Sequence, residues 1–485
     1  MSVKRFLEEA ERFIKIKSVT YSGNEELASY IETWMESRGF EVKNQLVTHS
    51  FSDLSKRQFN VIGILGDPLV DQKIKTGLLL LNHLDTVDPG DSSHWKVTEK
   101  NPFQMTVKED YVFGLGAVSG KLDFLCKMIA AQKFRNRKLK MPLYLVGVCG
   151  GEHSFFGSSY LLKSCALNPQ WVLVGHPTQL KPCTQGRGFL FGQLQFRFPV
   201  IERGARGFNR KFKIRANVVT DHPSFPSPGQ NSIDQLIDFL NLCHENGFDM
   251  KFSYLRGGVS IAQLPAHAEV EAFLTSHQLE DFKRFFKECS QSDKFKEQFE
   301  LELCGLGESG IAFLPEKIFE NLISIKETLL EINELGEGVT ISGGHFFYEP
   351  GKMNWDLIAS VKDENQFETI LSRLKKAIQE VSEDHPQLIL NLELIKKVPP
   401  FSLDGSQKLL SLVSESLKEV GLPTQDEEYS SYSQAGIFNQ QDYETLIFGC
   451  GEIKGNLHCS NERVKLEALE KAIVFYEDLI QRVCV

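Results

Sequence analysis

The 485-residue sequence predicts an α/β fold: a mostly parallel sheet with helices on both faces, interrupted by an inserted α+β domain that looks internally duplicated. Apolar runs alternate with helical patterns up to about residue 190, the order that builds parallel sheets covered by helices. The same alternation returns at about residue 393 and runs to the end. Between these points the pattern differs and repeats itself.

The elements before residue 190 begin with an amphipathic helix. Phe6, Ala10 and Phe13 follow helical spacing among acidic residues, a pattern unlike a signal peptide. The run of four leucines that starts at Leu78 predicts a strand buried on both faces. The predicted strands are 59–65, 77–83, 141–150 and 171–176, and the further helices are 119–134 and 158–164.

The inserted segment, about 191–392, contains two similar stretches that end at Phe282 and Phe367. Each has a Gly-Gly pair, a proline, an alternating strand and an acidic helix, and a helical stretch precedes each. The matching residues are Gly257-Gly258 with Gly343-Gly344, and Pro265 with Pro350. Their near-constant offset predicts two copies, about 191–300 and 310–392, that could share one sheet. Chance similarity between two α+β modules is the alternative.

The composition is that of a globular protein, with 41% hydrophobic and 24% charged residues. A net charge of -10 argues against a general role on nucleic acid or on a membrane surface. No stretch reaches the roughly 20 apolar residues that a membrane span needs. The ten cysteines are irregularly spaced without a Cys-x-x-Cys pair, which is typical of reduced cytosolic thiols. We therefore expect a cytoplasmic protein that acts neither on nucleic acid nor on a membrane.

Residues that can bind metals follow four apolar strands. They are His83 with Asp85, Glu152 with His153, His176, and His458. Ligand sites of open α/β sheets gather at strand ends, and a carboxylate close to a histidine can hold it in place as a metal ligand. Each residue alone could be an ordinary hydrogen-bonding group. Four such strand ends together predict a metal site on the rim of the sheet.

Seven motifs, in order along nearly the whole chain, resemble one known family. They are NHLDTV, HWKVTEKNPFQMTVKEDYVFGLGAVSGK, GGEHSFFGSSYL, VLVGHPTQLKP, HPSFPSPGQNSI, VPPF and HCSNERV. They are similar to motifs of the zinc-dependent amidohydrolases and exopeptidases. That group includes acetylornithine deacetylase, succinyl-diaminopimelate desuccinylase, the aminoacylases and the carnosinase-like dipeptidases.

The resemblance implies a discontinuous catalytic domain of 1–190 and 393–485, an inserted lid of 191–392, and two metal ions at the sheet rim. It also implies a role for each matching residue. The metal ligands would be His83, Glu152 and His458. Asp85 would orient His83, and His222 of the lid would polarise the scissile carbonyl.

The sequence departs from the family pattern at positions that matter for catalysis. Ser119 stands where the family has the carboxylate that bridges the two metals, and Gly151 stands where it has the general base. His176 replaces a third carboxylate. Ala262 and Thr275 replace a lid asparagine and a substrate-binding arginine.

These departures leave three functions open. Two cations need a shared anion, which neutral Ser119 cannot supply. We therefore expect at most one zinc ion, among His83, Glu152, His176 and His458, or no zinc at all. With one zinc, the chain could hydrolyse an amide bond of an N-acyl amino acid or small peptide. The alternatives are a catalytically inactive ligand-binding or regulatory module, and a purely structural protein.

The duplicated lid also predicts the assembly state. In many relatives a single lid unit pairs with the same unit of a second subunit. Here the second copy could pair with the first and cover its exposed strand edge. We therefore expect a monomer through this surface, with an approximate two-fold axis between the copies.

Overall fold

The computed structural model describes residues 3–485 except 50–53, 55, 68–74, 165–166, 201–206, 221, 224–228, 293, 297, 307–310 and 404–407. Residues 224–228, which belong to the motif HPSFPSPGQNSI, lie outside the described residues. The chain divides into two compact units, Met1–Gly188 with Val398–Val485 and Phe189–Lys397. The sequence placed the junctions at residues 190 and 393.

The helices of the described residues are α1 (Val3–Lys15), α2 (Glu25–Glu36), α3 (Lys121–Ala131), α4 (Phe156–Ser164), α5 (Ser232–Glu245), α6 (Leu279–Ser290), α7 (Glu316–Asn333), α8 (Asn365–Asp384), α9 (Lys408–Val420), α10 (Ala435–Asn439) and α11 (Leu466–Cys484). The helix predicted at 119–134 begins at Lys121, so Ser119 lies in the loop before it. None of the helices in the described part of the chain has the length and apolar character that a membrane span requires.

The strands of the described residues are β1 (Glu41–Val47), β2 (Gln58–Leu65), β3 (Leu78–His83), β4 (Thr106–Lys108), β5 (Tyr111–Phe113), β6 (Leu143–Val148), β7 (Trp171–Val174), β8 (Cys183–Gly186), β9 (Gly188–Arg197), β10 (Phe208–Asn217), β11 (Lys251–Gly257), β12 (His267–Thr275), β13 (Phe299–Leu306), β14 (Thr340–Glu349), β15 (Lys352–Val361), β16 (Ile389–Val398), β17 (Phe401–Ser402), β18 (Glu427–Tyr429), β19 (Glu444–Ile447) and β20 (Arg463–Lys465).

The main sheet of the first unit has the strand order β1-β2-β6-β3-β7-β19-β8-β17, with β18 paired to β8. Its centre, β6-β3-β7-β19, is parallel. The pairs on either side of this centre are antiparallel, among them β2 with β6 and β8 with β17, whereas β18 pairs parallel with β8. The predicted α/β class is confirmed, but the sheet is mixed rather than mostly parallel. The parallel centre brings the carboxyl ends of β3, β6 and β7 to one edge.

The four leucines of β3 explain why this strand is buried on both faces. Side chains alternate across a strand. Leu78 and Leu80 pack into the core formed with α1, α2, α3 and α11. Leu79 and Leu81 pack into a second core with Tyr144 and other side chains of the opposite face. The run therefore fills two cores at once, and the first polar side chains appear where the strand ends.

The second unit contains an eight-stranded sheet with the order β13-β10-β12-β11-β14-β15-β9-β16. The sheet has two halves that meet at the central β11–β14 pair. From the centre outward, the first half has the order β11-β12-β10-β13 and the second has the matching order β14-β15-β9-β16. Each half contains the predicted helix–strand–turn–strand–helix unit, as α5-β11-β12-α6 and α7-β14-β15-α8. The sequence predicted that each copy is one continuous segment, and the structure differs from this prediction at one strand. β9 precedes the first copy in sequence but lies in the second half, between β15 and β16, so the second half is discontinuous.

The Gly-Gly pairs of the two copies meet at the centre of this sheet. β11 and β14 pair antiparallel, with Gly257 opposite Phe346. Gly258 has φ +67, and a Cβ atom there would lie 2.9 Å from the carbonyl oxygen of Gly344. A Cβ on Gly344 would lie 2.9 Å from Cα of Ile261. The glycines therefore permit a close backbone approach, which accounts for the repeated motif.

Candidate functional site

The candidate site lies at the carboxyl ends of the parallel strands in the first unit. His83 is the last residue of β3, Glu152 follows β6 in a turn, and His176 follows β7. His458 comes from the loop between β19 and β20, where its φ of +64 is unusual for a residue with a side chain. The Asn456 side chain closes this loop by bonding to the backbone of Glu452 and Arg463.

Asp85 fixes the backbone of the site. Its carboxylate accepts hydrogen bonds from the amides of Gly151 (2.9 Å) and Glu152 (3.0 Å) and from the Thr20 hydroxyl (2.6 Å). Nδ1 of His83 lies 3.0 Å from the backbone oxygen of Asp85 and 3.5 Å from its carboxylate. Asp85 thus holds His83 mainly through its carbonyl and ties the strand end to the turn that carries Glu152.

Glu152 is the centre of a closed set of polar contacts. Its Oε1 lies 3.1 Å from Nε2 of His458 and 3.9 Å from Nε2 of His83. Its Oε2 accepts a hydrogen bond from the Tyr432 hydroxyl, which also lies 3.2 Å from Nε2 of His458. Burial raises the pKa of Glu152, but the charges of His458 and His83 outweigh it and hold that pKa below its usual range.

His83 and His176, whose rings are neighbours, differ in charge. Burial lowers the pKa of His83, but its hydrogen bond to Asp85 and the charge of Glu152 outweigh burial and raise that pKa to about 9. The ring of His176 lies 5.5 Å from that of His83, between centroids. Burial, together with the charge of His83, holds the pKa of His176 well below its usual range. His176 is therefore neutral next to a protonated His83.

Gly151 is packed against His83. A Cβ atom at Gly151 would lie 2.3 Å from Cβ of His83 and 2.4 Å from its Cγ. Such contacts are far inside van der Waals distance, so no side chain fits here while His83 keeps its position. The position at which the resemblance implies a general base is therefore filled by the body of His83.

Ser119 lies in a buried loop beside the same histidine. The neighbouring Gly120 packs on His83, because its Cβ would lie 2.1 Å from the His83 carbonyl oxygen. Glu462 holds the loop by accepting hydrogen bonds from the amides of Gly116 and Val118. Oγ of Ser119, like Nε2 of His176, is buried and has no hydrogen-bond partner among the described residues.

A buried ion pair supports the strand that carries His83. Nζ of Lys127 lies 3.0 Å from the carboxylate of Asp123, and both side chains are almost fully buried. Asn82, the residue before His83, bonds to both: Lys127 donates to its Oδ1 (2.6 Å), and its Nδ2 donates to Asp123 (3.0 Å). Tyr476 also donates to Asp123 (2.7 Å). These contacts satisfy the charges and fix the end of β3.

Sequence reasoning missed the two tyrosines of the site. Tyr432 contacts Glu152 and His458, and the ring of Tyr429 lies 5.5 Å from that of His176. Burial and the charge of Glu152 raise the pKa of Tyr432 well above its usual range, so it stays a hydroxyl donor. Neither tyrosine follows an apolar strand, the pattern that identified the other residues of the site. Their spacing of three in EEYSSYS was the only sequence clue.

The remaining predicted residues lie in the second unit. His222 and Ala262 are fully buried. Thr275 ends β12 and bonds to Oε1 of Gln278 at 3.1 Å. The roles that the resemblance implies for His222 and for these replacements stay predictions.

The four predicted ligands do not form a zinc site as they stand. Among the residues that the structure describes, no three His, Cys, Asp or Glu side chains make a group that could hold a metal ion. His83 and His176 are ring neighbours, whereas Glu152 is paired with His458 and Tyr432. Zinc needs its ligands at about 2.0–2.3 Å, and the present contacts join the side chains to each other instead.

Comparisons with known proteins agree on the relatives of this chain. The sequence model of peptidase family M20/M25/M40 matches residues 79–482. Acetylornithine deacetylase of Photorhabdus laumondii is 27% identical over 263 residues, which cover 51% of this chain and 59% of the relative. That of Proteus mirabilis is 27% identical over 267 residues, covering 52% and 60%. The chain thus matches about three fifths of the length of these two proteins.

Solved structures share the fold at low identity. Human carnosine dipeptidase 1 aligns with a TM-score of 0.60 at 13% identity, covering 99% of this chain and 97% of that chain. The dipeptidase Dug1p from Saccharomyces cerevisiae also gives 0.60 at 13% identity, covering 99% and 95%. A metallo-carboxypeptidase of Sulfolobus solfataricus gives 0.57 at 18% identity, covering 98% of each. At these identities the similarity concerns the fold.

Proposed function

The chain belongs to peptidase family M20/M25/M40, and from that premise we propose that it is a catalytically inactive member that binds an N-acyl amino acid or small peptide. The family is typically metal-dependent and hydrolytic. Catalysis in such a site needs ligands that face a metal and a base that takes a proton from water. The proposal follows from how this chain uses those side chains.

The observation that carries the proposal is the pairing of Glu152. One carboxylate oxygen is paired with His458 and the other with the Tyr432 hydroxyl. Gly151 stands at the position where the resemblance implies a general base. It has no side chain, and the space that a side chain would need there is occupied by His83. General base assistance contributes about 10²- to 10⁴-fold to such reactions. Without a base and with its ligands paired to each other, this site favours binding over turnover.

The ligand class is inferred from relatives and from the site. The matched relatives are named acetylornithine deacetylases, and structural neighbours are named dipeptidases. Ser119 Oγ and His176 Nε2 are buried polar atoms without a hydrogen-bond partner among the described residues. A small ligand with amide or carboxylate groups could satisfy them. We place the protein in the cytoplasm, where its cysteines would stay reduced.

Elemental analysis, an activity assay and thermal shift on the purified full chain test this proposal. We expect no stoichiometric zinc, no hydrolysis of N-acetylornithine or dipeptides, and a rise in melting temperature with at least one of these compounds. Ser119→Ala should reduce that rise. The control is Ser158→Ala, because Ser158 is also buried without a described partner but lies on α4. Zinc near one or two ions per chain together with hydrolysis would overturn the proposal.

A single-zinc amide hydrolase is the second candidate. Nε2 of both His83 and His458 lies within 3.9 Å of the same oxygen of Glu152. Small shifts would let these three side chains face one ion. This candidate predicts one zinc per chain and turnover of an N-acyl amino acid or small peptide, so the same measurements separate it from the first.

A further inference from the structure

We propose that Tyr432 is the residue that keeps a metal ion out of this site. This inference rests on the proposed function, because it assumes that the native chain is inactive and carries no zinc. It concerns one side chain, which no motif of the sequence singled out. It predicts that a change at this position alone creates a metal site.

The Tyr432 hydroxyl lies between two side chains that could bind a metal ion. It donates a hydrogen bond to Oε2 of Glu152 and lies 3.2 Å from Nε2 of His458. Those two atoms belong to the side chains that a metal would join. A zinc ion needs both at about 2.0–2.2 Å, which is the space next to the hydroxyl oxygen. The phenol and the ion therefore compete for one place.

The Tyr432 ring is held in this position by its packing. The residue is 4% exposed. Its ring lies 5.8 Å from that of Phe155 and 5.9 Å from that of His458, between centroids. Phe155 is itself fully buried. A packed ring cannot swing aside without opening a cavity, so the hydroxyl is a fixed part of the site.

Removal of the phenol would leave a set of side chains suited to zinc. Glu152, His458 and His83 would then surround one space, with one carboxylate and two imidazoles that zinc accepts as ligands. Asp85 would still hold the backbone of this group, because its bonds run to Gly151 and Glu152. Removing the competing hydroxyl should therefore suffice for one ion to bind.

The experiment compares zinc binding by the native chain, Tyr432→Ala, Tyr432→Phe and Tyr429→Ala. Elemental analysis gives the number of ions, and titration against a coloured chelator gives the affinity. We expect Tyr432→Ala to bind one zinc, with affinity raised about 10²-fold, the upper range for neighbours of metal ligands. Tyr432→Phe, which keeps the ring, should gain less. Tyr429→Ala is the matched control, because the buried Tyr429 ring packs against His176.

Further variants locate the ion and keep the test decisive. Adding His458→Gln to Tyr432→Ala should abolish the new zinc, which shows that it binds here. Circular dichroism checks folding, and Tyr432→Phe carries the test if Tyr432→Ala does not fold. Folded Tyr432 variants that bind no more zinc than the native chain would overturn the role of Tyr432 but leave the proposed function standing. If the native chain binds zinc but does not hydrolyse the test compounds, the role of Tyr432 is overturned and the proposed function stands. If the native chain binds zinc and hydrolyses them, both are overturned.

Discussion

At Gly151, where the resemblance predicts a carboxylate, the space for a side chain is occupied by a neighbouring histidine. The space for a Cβ atom is taken by His83, which Asp85 holds in place. Restoring a glutamate at Gly151 would therefore displace His83, and restoring an aspartate at Ser119 alone would not recreate a base. The resemblance predicts which catalytic side chains are absent, but only the packing shows that His83 fills the space at Gly151.

Glu462 gives the first prediction at the residue scale. Burial raises its pKa to about 8, although two backbone amides oppose this. In the unfolded chain a glutamate ionises near pH 4.3. Between pH 5 and pH 7 only the folded state holds this proton, so the free energy of unfolding falls as the pH rises.

Glu462→Gln removes this titration and keeps an oxygen that can accept from Gly116 and Val118. We expect the native chain to lose on the order of 2 kcal/mol more stability than the variant between pH 5 and pH 7. Denaturant unfolding of both proteins at each pH measures the difference. Parallel pH profiles for the two proteins would contradict the prediction.

The site residues illustrate what could be predicted from sequence. His83, Glu152, His176 and His458 were found because each follows an apolar strand, and the structure brings them together. Tyr432 and the Asn82–Asp123–Lys127 contacts were not found. Tyr432, Asp123 and Lys127 reach the site from segments distant in sequence, so no local pattern marks them. Asn82 is next to His83, but its role depends on its contacts with Asp123 and Lys127.

At the scale of elements, strand predictions held where apolar runs were long. The leucine strand β3 was predicted within one residue of its observed start. The mixed direction of the sheet was not predictable, because β2 pairs antiparallel with β6 although both read as buried apolar runs. Direction depends on the connections between strands, which periodicity does not record.

The central glycines of the second unit give a prediction at this scale. Gly258 and Gly247 both have positive φ, at +67 and +82. A Cβ at Gly258 meets the backbone of Gly344, whereas nothing lies within 4 Å at Gly247. Alanine at Gly247 should cost about 1–2 kcal/mol for the left-handed backbone alone. At Gly258 the crowding should add about 1–3 kcal/mol.

Denaturant unfolding of Gly258→Ala and Gly247→Ala measures this difference directly. Because the two variants share the backbone cost, the larger loss at Gly258 reports the close approach of the two copies. Equal losses would mean that the central strands can separate slightly at no cost, and that the paired glycines are there only for their backbone angles.

At the scale of the whole molecule, the duplicated sheet predicts the assembly state. β11 and β14 pair within one chain, with Leu255, Arg256 and Gly257 opposite Tyr348, Phe347 and Phe346. The edge that a single copy would offer to a second subunit is thereby satisfied internally. We expect a monomer through this surface, and sedimentation equilibrium measures the mass. A tight dimer that joins through β11 or β14 would contradict the prediction.

The strand order of the second unit means that its two halves are completed at different times during synthesis. β10 to β13 follow one another, so the first half has all its strands once residue 306 is made. β9 is made before them, but its neighbours β15 and β16 come after residue 351. At about 5–20 residues per second, β9 waits roughly ten to thirty seconds for β15. A nascent chain thus carries an apolar strand without its partners while the adjoining half is already complete.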